Sequence, residues 1–127
     1  MRLAPMTILL LAAFSTAAMP KSDRNDLAAQ LAGRTAGPPQ DCVPIEPASN
    51  LRPVDAQTLV VERGATLYVN RLRGGCPGLD PTDTIIFVAH GSQYCRGDHF
   101  RTRPFGGGVV PGPICILGDF VPYRRAR

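Results

Sequence analysis

Four cysteines, Cys42, Cys76, Cys95 and Cys115, restrict the folds open to this chain more than any other feature. All four lie behind an opening segment ordered like an export signal. In "MRLAPMTILLLAAFSTAAMP", Arg2 and the amino terminus come first, and a nearly unbroken apolar run follows from Met6 to Phe14. Thr16 and Ala18 then take the −3 and −1 places of a cut before Met19. The apolar run falls well short of the roughly 20 residues that cross a bilayer. Residues 1–18 therefore read as a signal peptide. No cysteine stands at the cut to carry a lipid, and no second long apolar run follows. The expectation is an exported protein, periplasmic or extracellular, with no transmembrane segment in the mature chain. An even number of cysteines in a short exported chain points to disulfides. Zinc ligands usually come in close pairs, whereas the gaps here are 34, 19 and 20 residues. Two bridges are expected, and neither a metal nor a cofactor.

The bridges matter because little else holds the chain. Thirteen glycines and thirteen prolines favour turns, short strands and irregular loops over helix. Residues 19–40 divide into a short helix over 22–33, capped by Ser22 or Asp23, and a Pro-rich linker, "RTAGPPQD". Leu27 and Leu31 form an i, i+4 apolar pair, enough for weak docking of that helix. The compact β domain is expected over 41–123, followed by a basic tail over 124–127.

Within that domain, "TLVVER" and "TLYVNRL" alternate about Gly64-Ala65 and form the clearest hairpin. "TIIFVA", residues 84–89, is apolar on both faces and reads as a central, covered strand. "QYCRGDHFRTR" gives one or two strands broken at Gly97. "PFGGGVVPGP", residues 104–113, is a loop, and "ICILGDF" and "VPY" finish the sheet. The candidate core is Leu59, Val61, Leu67, Val69, Ile85, Phe87, Ile116, Phe120 and Val121, with no tryptophan. A domain of this size buries only some 60–65% of its unfolded surface, so covalent bridges supply what the core lacks, roughly 2–4 kcal/mol each. The fold class is all-β: a small curled sheet or barrel of five to six short strands, disulfide-stapled, with one short N-terminal helix. Four cysteines allow three pairings. The reading favours Cys76 with Cys95 and Cys42 with Cys115; a Cys76–Cys115 link would overturn it.

The strings "LAGRTAGPPQDC", "LYVNRLRGGCPGL", "CRGD" and "CILGDFVPYRR" carry a resemblance over roughly residues 27–126. With Cys42, the Cys76-Pro77-Gly78-Leu79 loop, Cys95 and "LGDFVPY" as landmarks, the chain resembles a family of small exported four-cysteine bacterial proteins of unknown function. The resemblance implies domain limits and no catalytic residue.

The residues themselves offer little chemistry. "GSQYCRGDHF", residues 91–100, gathers Ser92, Cys95, Asp98 and His99 beside His90. Side chains two apart on a strand stand about 7 Å apart, too far for direct proton transfer from Ser92 to His90. The G-x-S-x-G elbow is missing, and an exported Cys95 is expected to be oxidised rather than a thiol nucleophile. Arg96-Gly97-Asp98 matches an adhesion tripeptide but reads as a bulge between charges. Asp98 and His99 face opposite ways on a regular strand, a poor metal pair. Asp80 and Asp83 read as turn caps around Pro81. Neither glycine-rich stretch leads into a Lys-Ser/Thr helix, which excludes a P-loop.

Arginine remains. Thirteen of the fourteen basic residues are Arg, and the formal charge of +4 falls to +3 without Arg2. That is too little to argue for nucleic acid. Arg71, Arg73, Arg96, Arg101 and Arg103 are the candidate anion-binding residues, set against the plainer reading of a solvated face. The function expected is an exported, non-catalytic β module of the cell envelope, binding or structural. Its partner is an anionic envelope component or an envelope or secreted protein. The alternatives are a small secreted or periplasmic enzyme inhibitor, presenting loop 104–113, and a polyanion-binding module with an Arg-rich face.

Overall fold

A computed structural model describes residues 25–88, 91–107 and 110–127. The signal segment, Ser22, Asp23 and His90 lie outside the described residues. Helix α1 spans only Leu27–Leu31. Asp26 caps it, accepting a hydrogen bond from Ala29 N at 3.2 Å. One i, i+4 pair is all α1 has to bury. Leu27 and Leu31 pack against Val54, Val60, Leu67 and Val69, so the helix docks.

Ten strands follow among the described residues: β1 Arg34–Ala36, β2 Cys42–Pro44, β3 Arg52–Asp55, β4 Thr58–Arg63, β5 Thr66–Arg71, β6 Thr84–Phe87, β7 Gln93–Cys95, β8 His99–Arg103, β9 Ile114–Ile116 and β10 Phe120–Arg125. They form three open sheets, β1-β10-β5-β4-β3, β2-β7 and β6-β8-β9. The all-β class and the single short helix match the sequence reading. The strands outnumber the expected five to six in part because Arg34–Ala36, read as linker, and Cys42–Pro44, not read as a strand, each find a partner.

The linker is one such case. Its prolines hold an extended path that the sheet uses: Arg34–Ala36 pairs with Arg125–Tyr123, and Gln40 exchanges backbone hydrogen bonds with Phe120. Arg124 and Arg125, read as tail, are strand residues of β10. Arg34 adds donors to Gln30 O, Ala65 O and Tyr123 O, tying helix, hairpin turn and last strand together.

The β4–β5 hairpin turns at Gly64-Ala65 and pairs Val60 with Val69 and Val61 with Tyr68. A two-residue turn sets odd positions opposite even ones, and directly paired residues share a face. Leu59 and Val61 therefore point into the main core, with Phe100, Leu117 and Phe120. Leu67 and Val69 lie on the other face, beneath α1. Both faces are covered, so the expected single core is two. Ile116 and Val121 are only half-buried.

Asn70 lies on the main-core face, fully buried, between Leu59 and Phe120. Its Nδ2 donates to Gly118 O and its Oδ1 accepts from Gly118 N, both at 2.8 Å. A side-chain amide thus serves as a strand edge for the β9–β10 connection, satisfying both backbone groups of Gly118.

The disulfides are Cys42–Cys95 and Cys76–Cys115. The expected Cys76–Cys95 and Cys42–Cys115 pairing is corrected, for reasons of register. Cys42 stands directly across from Cys95 in the β2–β7 pair, with Cα atoms 4.0 Å apart. Cys76 is fixed by its N–H to Ala56 O at 2.8 Å, against the β3–β4 turn. Cys115 points inward from β9, opposite Phe100. The two bridges interleave along the chain: Cys42–Cys95 reinforces the β2–β7 pair, and Cys76–Cys115 joins the loop after β5 to the β6-β8-β9 sheet.

Asp80 and Asp83 cap the loop before β6, as expected. Thr82 donates its N–H and Oγ1 to Asp80 Oδ1 at 2.9 and 2.7 Å. These bonds, the backbone one foremost, hold the Asp80 carboxyl below the ordinary aspartate range. A depressed carboxylate stabilises its fold above the unfolded pKa and loses that contribution as pH falls through the folded value. NMR titration is expected to place the Asp80 inflection below that of an unperturbed aspartate. Thr82→Ala should return only part of the shift, since the backbone bond persists. An inflection at the ordinary value in the unaltered protein contradicts this account of the loop.

Candidate functional site

The chemistry-rich stretch 91–100 is a turn between two strands. Asp98 Oδ2 accepts from Cys95 N at 2.8 Å, and Gly97, at φ 87°, lets the chain reverse. Arg96 reaches Asp41 Oδ1 at 3.2 Å and Asp119 Oδ1 at 3.0 Å. The guanidinium of the Arg-Gly-Asp tripeptide is thereby held by two carboxylates, and its aspartate is folded back on Cys95. Arg96 is removed from the candidate anion binders, because its charge is already matched. Ser92 is exposed and its carbonyl accepts from Ile45 N. Its proposed partner, His90, lies outside the described residues. Among the described residues, no group of three or more His, Cys, Asp or Glu comes together to hold a metal ion.

The other arginines divide between two surfaces. Arg71 projects from β5 on the helix-bearing face, near Asp119 and Tyr123. Arg101 and Arg103 stand on β8, where burial alternates: His99, Arg101 and Arg103 are exposed, Phe100 and Thr102 buried. Across this outer face, Arg103 pairs with Thr84, and Arg101 lies between Ile86 and Ile114. His99 adjoins Ile116, which bridges in turn to Arg73. Three of the five predicted arginines thus share one face, that of the β6-β8-β9 sheet.

That face is also apolar, which the sequence reading missed. Among the described residues β6 is an edge strand with β8 as its one neighbour, not the central covered strand expected. Ile85 and Phe87 pack inward. Ile86 and Val88 face out, and with His99, Arg101 and Ile114 they line a shallow hollow of about 150 Å³. The signal was in the sequence: a strand apolar on both faces needs two covers, and among the described residues only its inner face has one. On the connection between β8 and β9, Phe105 and Val110 are exposed. Gly112 N donates to Thr102 O at 2.7 Å, which pins the loop's base.

A second hollow, of about 350 Å³, lies between β3 and β6 over the Phe87–Tyr94 edge contact, whose ring centroids are 5.0 Å apart. None of the candidate arginines lines it. No helix among the described residues is long and apolar enough to cross a membrane.

No curated protein and no solved structure matches this chain. One family model does match, over residues 1–116, and takes in all four cysteines, β6, β8, β9 and the 104–113 loop. The chain belongs to that family, the family of unknown function DUF6491.

Proposed function

We propose that this protein is an exported, non-catalytic β module that binds an anionic component of the cell envelope through the outer face of the β6-β8-β9 sheet. Export is supported by the charge–apolar–small order of residues 1–18 and by two disulfides, which persist in oxidising compartments. One observation carries the binding reading. Arg101 and Arg103 stand exposed, with Arg73 alongside, and residues 99–116 contain no acidic side chain to neutralise them. A merely solvated face usually mixes both signs; this one does not.

The test is retention on an immobilised anionic polymer as a function of salt. Binding through these side chains should weaken linearly on log–log axes. Arg101→Gln and Arg103→Gln should each reduce the slope by about one, with melting unchanged. No retention at low salt, or a slope that ignores both changes, overturns the reading. The exposed Phe105 favours a second reading, that of an enzyme inhibitor presenting loop 104–113. That reading requires a stable 1:1 complex with a secreted hydrolase.

A further inference from the structure

Among the described residues, the large hydrophobic side chains left exposed are Val88, Phe105, Val110 and Ile114, at 65, 86, 82 and 56% exposure. None is scattered elsewhere. Val88 continues β6, Ile114 opens β9, and Phe105 and Val110 stand on the connection between β8 and β9. Val88 and Ile114 line the same hollow as Arg101, and Phe105 and Val110 stand on the connection between two strands of the β6-β8-β9 sheet. Exposed apolar side chains gathered in one region of a small domain mark an interaction surface. Cationic groups set among them narrow the partner.

A soluble polyanion satisfies the arginines and leaves Phe105 and Val110 in water. A protein groove satisfies the apolar groups without requiring a face free of acid. An anionic bilayer surface satisfies both, with phosphate headgroups for guanidinium and the acyl boundary for the projecting side chains. An aromatic ring at a loop tip is well suited to that boundary. Weak attachments of this kind hold when an apolar and a basic signal act together.

We infer that the protein docks on a lipid surface rich in anionic headgroups, with Phe105 and Val110 entering the interface and Arg101 and Arg103 pairing with phosphates. The inference rests on the anionic-partner reading above and names its source.

The experiment is co-sedimentation of the disulfide-intact protein with vesicles of phosphatidylcholine alone, or of phosphatidylcholine and phosphatidylglycerol at 3:1, in low and high salt. Retention on a soluble anionic polymer is measured in parallel. Binding is expected to the anionic vesicles only, and to fall with salt. Arg101→Gln/Arg103→Gln should weaken it about 30-fold, at roughly fivefold per arginine. Phe105→Ser should weaken vesicle binding at least about tenfold while leaving polymer retention intact. All three positions are exposed, so circular dichroism should be unchanged. Polymer retention without vesicle binding overturns the lipid inference and leaves the anionic-partner reading standing; loss of both overturns both. Vesicle binding indifferent to Phe105→Ser, or a dimer that this change dissolves, also overturns the lipid inference.

Discussion

Gly118→Ala is expected to destabilise the protein by about 3 kcal/mol or more, through overlap with backbone and loss of a buried hydrogen-bond pair. A Cβ at Gly118 would run into the Arg71 carbonyl oxygen, and main chain cannot swing aside as a long side chain can. Relief requires the β9–β10 connection to move, which pulls Gly118 away from Asn70. Asn70→Ala attacks the same latch from the other side. It strands the Gly118 N–H and C=O in a buried place, at about 1–3 kcal/mol for each group. The control is Gly74→Ala: Gly74 has a φ of 70° and nothing near its missing Cβ, so backbone strain alone acts, at about 1 kcal/mol. For a domain of this size, about 3 kcal/mol lowers the melting temperature by more than ~12 °C. Equal melting temperatures for the Gly118 and Gly74 variants would contradict the latch.

Removing a disulfide is the other large perturbation. The bridges span 53 and 39 residues, so loop entropy assigns each about 4 kcal/mol as an upper estimate. Small domains have only about 5–15 kcal/mol in total. The two are expected to differ. Cys76 and Cys115 are buried in the main core, so Cys76→Ala/Cys115→Ala adds a packing loss to the lost constraint. Cys42 and Cys95 are half-exposed in a two-stranded sheet, and their loss mainly frees β2 from β7. Urea unfolding of the two double variants should therefore rank Cys76/Cys115 as the costlier pair. The reverse ranking would mean that the two-stranded sheet, not the core, governs cooperativity.

How much of this was readable beforehand differs by element. The hairpin was legible because its alternation and Gly64-Ala65 turn are local features. The helix was legible as Leu27 and Leu31, though not in length, since its cap is Asp26. The pairing of cysteines was not, because it depends on which three-residue segments become strands. Cys42–Pro44 has no periodicity to reveal that it lies against β7. Asn70 read as an ordinary polar position in a strand, since its partner, Gly118, is 48 residues away. In the candidate site, arginine content pointed to Arg101 and Arg103, which stand exposed on β8. It could not show that Asp41 and Asp119 occupy Arg96, or that Arg71 faces elsewhere. The doubly apolar "TIIFV" carried information on the site, but it was spent on an expectation of burial.

The central claim is that two interleaved bridges hold this small fold together: Cys42–Cys95 fastens β2 to β7 within one sheet, and Cys76–Cys115 ties the loop after β5 to the β6-β8-β9 sheet. Peptide mapping by mass spectrometry, without reduction, on protein purified from its native compartment tests this most directly. The account predicts linked fragments containing Cys42 with Cys95 and Cys76 with Cys115. Four free thiols, or fragments joining Cys76 to Cys95 and Cys42 to Cys115, would contradict it.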